Sequence, residues 1–365
     1  MPPKEEEEIP APQRPPSPPP HTTFGVRGIL PPTFSAFKPR DYRMPSPQAM
    51  NHVAWSCDGK KLAAVGIDKI TRLWQPEKGM EARSATMFSG GHSDEVDHVT
   101  WNPTHPELFC TSSGKDRRIV FWDARQSRCL QQVSLKQSPL VMNYSPDGKT
   151  IVYTSAGHQM YFLECGQAQA GKETWSVSDK EIIPGSRAMF NHTGDGIVLT
   201  HHSEHTLRVL DYPRLLLERL RLHTLGDAKP LLWIPRGRYL ASGGFDSIVN
   251  LFDLTEWICA RTITACEYVS LFLLLFLPTS PCRHQISSLS FSHDGEYLAI
   301  GSTGVYVDIC ATETSMPLHR VPALAPAPTV TWHPSRYVIA YCGQTKAREG
   351  GPPPVAVVSL FGALE

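Results

Sequence analysis

Two groups of residues in this 365-residue chain have the types and spacing for chemistry. His201, His202, Glu204 and His205 place three imidazoles and a carboxylate, ordinary zinc ligands, within one short run. His92, Asp116 and a hydroxyl from Ser112 or Ser113 supply the base, acid and nucleophile of an acyl-transfer enzyme. Both weaken once the elements that must carry them are considered. The His201–His205 run falls at a hairpin turn of the repeat described below, and alternation along a strand sends His201 and His202 to opposite faces. Three of those groups converge only on an irregular turn, so a solvated hairpin is the simpler reading. The phosphate loops GxGxxG and GxxxxGK[ST] are absent, as are HExxH and GxSxG. No catalytic residue, metal ligand, cofactor or small-molecule substrate is expected.

The dominant pattern is a repeat. Seven aromatic residues each precede a polar turn: Trp55, Trp101, Tyr144, Phe190, Trp233, Phe291 and Trp332, at intervals of 46, 43, 46, 43, 58 and 41 residues. Within residues 97 to 123 the runs DHVTWNP, LFCTSSG and IVFWDAR read as three strands separated by turns, and CLQQVSL supplies a fourth. A period in the low forties with four short strands per unit predicts an all-β, seven-bladed β-propeller. It would fill residues 37 to 362 as one domain, behind a disordered Pro-rich tail at residues 1 to 36. After Trp332 only three strands remain, so the segment Phe37–Met44 is expected to return as the outer strand of the last blade and remove the exposed edge. Cutting before Met44 should then destabilise the ring, whereas removing Met1–Pro32 should not.

Composition narrows the setting. The formal net charge is zero, and Lys and Arg form no long cluster, which argues against strong independent binding to nucleic acid. The nine cysteines are scattered without a CxxC pair, as befits small buried side chains in a reducing compartment. The run Leu271–Leu277 is far shorter than the roughly 20 apolar residues that span a bilayer, so no membrane contact is expected.

Blade two, with Gly91-His92 before its first strand, Asp116 in a turn and Trp122-Asp123 closing its third strand, resembles the WD40 family. That resemblance implies a buried hydrogen-bonded tetrad of His92, Ser112 or Ser113, Asp116 and Trp122, a structural unit in place of a catalytic one. The pattern decays elsewhere: Asp68 and Trp74 lack a Gly-His, the fifth blade has His223 and Asp246 but Phe252 for Trp, and the turn at 156 to 160 lacks its Asp. Turn tips on the rim are the usual anchors for partners, which makes Asp94, Glu95, Lys115, Arg117, His202, Glu204 and Phe245 the candidate contacts.

The interval of 58 exceeds its neighbours because of Tyr268–Arg283, YVSLFLLLFLPTSPCR. Excising those 16 residues restores the period. Glu-Tyr-Val can be encoded with GTATGT and Cys-Arg with a terminal AG, so the segment has the signature of a translated intron.

Longer stretches, among them VAWSCDGKKLAAVGIDKITRLW, LDYPRL and SFSHDGEYLAIGSTGVYVDICATET, resemble the WD-repeat subunit family of the THO complex. The most telling residues are Val307-Asp308-Ile309 and the loop Lys346-Ala347-Arg348-Glu349. The resemblance implies a nuclear, non-catalytic scaffold subunit that couples transcription to mRNA packaging and export. Its partners would be the helical THO subunits and, through the assembly, an RNA helicase and an export adaptor, with RNA contacted only there. The competing reading is a WD40 adaptor for histone tails or a ubiquitin ligase.

Overall fold

Each aromatic anchor ends the innermost strand of one antiparallel sheet: Met50–Trp55, His98–Trp101, Pro139–Tyr144, Arg187–Phe190, Ala228–Trp233, Ile286–Phe291 and Thr329–Trp332. The structure is a computed structural model that describes residues 23–44, 49–126, 128–167, 173–180, 182–201, 206–222, 228–233, 238–264, 284–345 and 353–363. Seven sheets form a seven-bladed propeller, each running from an inner to an outer strand. Blade two runs His98–Trp101, Leu108–Ser113, Arg118–Asp123, Cys129–Ser134. Blade three adds a short fifth segment, Ile183–Pro184, on the edge of Gln159–Gln167.

The polar turns after the anchors have a common chemistry. Ser56 donates to Asp58 (2.6 Å), Ser145 to Asp147 (2.5 Å) and Ser292 to Asp294 (2.7 Å), so each Asp is held while its backbone turns through a left-handed glycine, Gly59, Gly148 or Gly295. At Gly59 the site of a Cβ lies 2.2 Å from the His333 ring of blade seven, which leaves room for no side chain.

The core is distributed. Seven buried clusters each lie between two adjacent blades, from Trp55, Leu62 and Val358 at the seven–one interface to Val198, Leu240 and Phe252 at the four–five interface. The middle strands, such as Leu62–Gly66 and Ile339–Gln344, are buried almost throughout because both their faces pack on neighbours. Side chains of the inner strands also stitch blades together. Asn51 donates to Val96 O (3.0 Å), Asn143 to Ala188 O (3.0 Å), Ser287 to Ala327 O (2.6 Å) and Thr329 to Asn51 O (3.0 Å).

Arg40–Arg43 pairs antiparallel with Ala356–Phe361 and is the outer strand of blade seven. The chain before it corrects the tail boundary drawn from composition. Residues 23 to 36 are part of the folded body. A single helical turn, Phe24–Arg27, inserts Phe24, fully buried, against Tyr297 and Tyr337, and Phe34 packs edge-on to Tyr297. Arg27 pairs with Asp294 at 2.9 Å, and Thr23 bonds to Glu296. Proline density misled because two phenylalanines and one ion pair suffice to anchor a strap that composition assigns to solvent.

Tyr268–Arg283 lies outside the described residues. Its flanks, Ile258–Ile263 and Ile286–Phe291, are complete strands 23 positions apart, against seven between Pro322 and Thr329 at the next junction.

Phe24→Ala is expected to lower stability by about 3 kcal/mol, and truncation at Pro32 should lower the unfolding midpoint in a calorimetric scan. An unchanged midpoint would return residues 23 to 36 to the tail. Excising Tyr268–Arg283 should leave the midpoint unchanged or slightly raised, since closing a loop about fourfold shorter changes stability by only about 1 kcal/mol. Mass spectrometry of native protein should find a peptide joining Glu267 directly to His284, and any peptide from within the segment would refute the intron reading.

Candidate functional site

The hydroxyl that joins His92 and Asp116 belongs to Thr111, and not to Ser112 or Ser113. His92 Nδ1 lies 2.9 Å from Asp116 Oδ2, its Nε2 lies 2.8 Å from Thr111 Oγ1, and Trp122 Nε1 donates to the same oxygen at 2.8 Å. One tautomer satisfies every group: Nδ1–H donates to the carboxylate, Nε2 accepts from the threonine hydroxyl, and that oxygen accepts from the indole. Alternation explains the correction, because Thr111 and Ser112 point to opposite faces of one strand. Ser112 Oγ is buried without a partner, and Ser113 Oγ accepts only the Asp116 backbone N–H at 3.3 Å. Glycine precedes His92 because a Cβ there would stand 2.5 Å from the Trp122 ring.

An acid, a base and a hydroxyl thus do meet in line. Their burial decides what they can do. The His92 and Asp116 side chains are 1% and 2% exposed and Thr111 is fully buried, so no substrate reaches the hydroxyl, whose lone pair is already taken by Trp122. Burial, opposed by the hydrogen bond to Asp116, lowers the His92 pKa, which keeps the imidazole neutral.

Other blades hold this position differently. Blade one pairs Asp68 with buried Arg72 at 2.5 Å. Blade six instead carries Asp308, 3% exposed, within its third strand, Tyr306–Ala311, where it accepts two bonds from Arg320 at 2.7 and 3.1 Å. In blade three His158 occupies the turn at a φ of 54° and bonds Ser186 across to blade four at 3.1 Å. The LDYPRL stretch is also structural: Asp211 accepts the Leu216 N–H at 2.6 Å, and Tyr212 packs edge-on to Phe190 while accepting from Lys180 at 2.7 Å.

Among the rim candidates, the structure brings Glu95 and Lys115 together at 3.1 Å, with Asp94 adjacent. Their hydrogen bond is the first cause of the raised Lys115 pKa. Arg117 follows on the same turn, exposed, at a φ of 55°. Phe245 is half-buried on blade five, remote in sequence from that cluster. His202, Glu204 and His205 lie outside the described residues, as does His223. Among the described residues no group of three or more His, Cys, Asp or Glu could hold a metal ion, and no helix is long and apolar enough to cross a membrane.

A set that the sequence reading overlooked lines the central channel, a cavity of about 440 Å³. Three positions before its anchor, each of six inner strands turns a side chain inward, which places His52, His98, Val141, Arg187, Ser288 and Thr329 around the channel. Counting back from the aromatics would have found them. The His52 and His98 rings lie 3.9 Å apart, each with a buried, unpartnered Nδ1. Burial first, then the Arg187 charge, lowers the His52 pKa to about 3; burial, His52 and Arg187 likewise hold His98 well below its usual value.

The repeat pattern described as WD domain, G-beta repeat matches residues 43–75 and 84–123, the blades in which the motif is fullest. The chain is 31% identical over 315 residues to THO complex subunit 3 of Arabidopsis thaliana, covering 86% of this chain and 92% of that protein. It belongs to the family of WD40-repeat proteins related to THO complex subunit 3. The WD repeat-containing protein AAC3 of Dictyostelium discoideum is 24% identical over 321 residues, 82% of this chain and 63% of that one. Among solved structures, the β-propeller domain of Myceliophteria thermophila Cps50 (Swd1) superposes with a TM-score of 0.68 at 14% identity, covering 87% of this chain and 99% of that one. That likeness concerns the fold alone. A WD40 ring related to THO complex subunit 3 is a scaffold for protein–protein contacts, and the blade-two tetrad braces it.

Thr111→Val should cost roughly 3 kcal/mol, because it leaves both His92 Nε2 and Trp122 Nε1 buried and unpaired, whereas Ser112→Ala should be neutral in denaturant titrations. The reverse order would restore Ser112 to the tetrad. Stability of this WD40 ring should also fall with acid. A histidine whose folded pKa lies near 3, against about 6.5 unfolded, binds fewer protons in the fold, so its contribution is full above pH 6.5 and is lost as pH falls. At pH 5 His52 alone should remove roughly 1–2 kcal/mol, and His52→Asn should flatten that limb of the profile.

Proposed function

We propose that this protein is a scaffold subunit of a THO-like assembly in the nucleus, coupling transcription to mRNA packaging and export. One observation carries the reading: the 31% identity to a THO complex subunit 3 runs over 86% of this chain and 92% of the relative, and so is not a match of generic repeats. The blades beyond the WD-repeat match, with their own arrangements at His158, Asp308–Arg320 and Tyr212, are included in that span. Net neutrality and the absence of a long basic run fit a protein that docks on other proteins and meets RNA only within the assembly. The helical scaffold subunits are the direct partners; an RNA helicase and an export adaptor join through the whole complex. The rim turns with half-buried Asp94 and Glu95 and exposed Lys115 and Arg117, together with half-buried Phe245, are the proposed contacts, because charged and aromatic turn residues on a rigid ring can meet a partner with little reorganisation.

Affinity purification of the tagged chain from nuclear extract, with nuclease treatment and mass spectrometry, tests the proposal. Stoichiometric, nuclease-resistant recovery of THO subunits is the expected outcome, reduced by a Glu95→Lys, Arg117→Glu double variant. Recovery of histone-modifying or cullin machinery in their place would move the protein to the adaptor class and overturn the assignment.

A further inference from the structure

The central channel holds a charge that no described residue on its wall balances. Its ionisable lining residues are His52, Asp97, His98 and Arg187 among the described residues. The Arg187 guanidinium has no hydrogen-bond or ion-pair partner among them, and burial alone lowers its pKa. Asp97, the one carboxylate on that lining, is turned away from it: its Oδ2 accepts the Gly114 N–H at 2.7 Å, at the edge of blade two. Burial, the largest cause, raises the Asp97 pKa. Two of the channel hydroxyls are engaged, since Ser287 and Thr329 donate to backbone carbonyls of the next blade at 2.6 and 3.0 Å.

Arg187 is half-buried, and a partly desolvated cation without a counter-ion is costly unless an anion completes it. On the same channel wall stand His52 and His98, their rings in contact at a tilt of 38°, each with an orphaned Nδ1. Burial is the main cause of their low pKa values and the Arg187 charge the lesser one, so an anion that offsets Arg187 and bonds the orphaned Nδ1 atoms favours their protonated form. The cavity of about 440 Å³ has room for a tetrahedral oxyanion with part of its hydration.

We propose that the channel is an oxyanion site in which one phosphate-sized anion bonds the Arg187 guanidinium and draws protons onto His52 and His98. The chemistry is shared by free phosphate and by a phosphorylated side chain reaching into the channel. Binding and proton uptake are linked, so affinity rises as pH falls. The other group that titrates on the channel wall is Asp97, and Asp97→Asn separates its contribution.

Inorganic phosphate and sulfate are the probes, added to the full chain against sodium chloride of equal ionic strength. Phosphate should raise the unfolding midpoint saturably. Arg187→Met, which keeps the bulk and removes the unpaired charge, should fold and bind phosphate at least tenfold more weakly, while Arg187→Lys should retain an intermediate response. Sulfate, whose charge is constant between pH 7 and 5.5, should bind several-fold more tightly at the lower pH, in the wild type and in Asp97→Asn. Carbon-13 spectra of labelled histidine should show the His52 and His98 titrations moving to higher pH when sulfate is bound. A phosphoserine peptide that competes tenfold better than free phosphate assigns the ligand to a partner's side chain; no gain assigns it to a free anion. Equal stabilisation by chloride, an undiminished response in Arg187→Met, or unmoved histidine titrations would overturn the proposal.

Discussion

Ring closure is the constraint on which the rest depends. A propeller of open meanders would expose an unpaired strand at each end, and those edges would recruit other chains. Here Arg40–Arg43 seals the last blade against Ala356–Phe361, so residues more than 300 positions apart share one sheet. Phe24 and Arg27 extend the seal by clamping blade six to blade seven through Tyr297, Tyr337 and Asp294. With the circle shut, each of the seven buried clusters is shared by two adjacent blades, and the bonds of Asn51, Asn143, Ser287 and Thr329 tie neighbouring inner strands at four of the seven junctions, the closing one included.

That closed geometry determines which polar residues are structural and which face the solvent. His92, Thr111 and Asp116 have the connectivity of a charge relay, yet they lie within the sheet, where full satisfaction of hydrogen bonds stiffens a blade and leaves no lone pair for a substrate. The channel has the opposite character. Its wall carries polar side chains, among them the unpartnered Nδ1 atoms of His52 and His98, around a cavity of about 440 Å³ that the described side chains leave unfilled. Chemistry that looks reactive in the sequence is locked, and residues that drew no notice face the open space.

Much of the architecture was legible. The aromatics that marked the period are the last residues of the inner strands, because a large ring there wedges between blades and the chain must then reverse; Trp101 even donates to Ala54 O of the blade before it at 3.1 Å. The Ser-x-Asp-Gly turns were legible for the same local reason. The strap at residues 23 to 36 was not, since its sequence resembles the Pro-rich stretch before it and its anchoring partners lie some 270 to 310 positions away. Ser112 was chosen over Thr111 because motif spacing tolerates a shift of one residue, whereas strand pleating does not.

The sequence by itself determined that the chain is a ring of seven similar units, because each unit's alternation, turn chemistry and anchor are local properties repeated at a readable period. Which side chain completes a tetrad, which N-terminal residues are buried, and that His52, His98 and Arg187 share one cavity were decided only by the tertiary structure. Those facts depend on strand facing and on blades brought side by side by closure, and contacts between distant residues leave no trace in spacing along the chain.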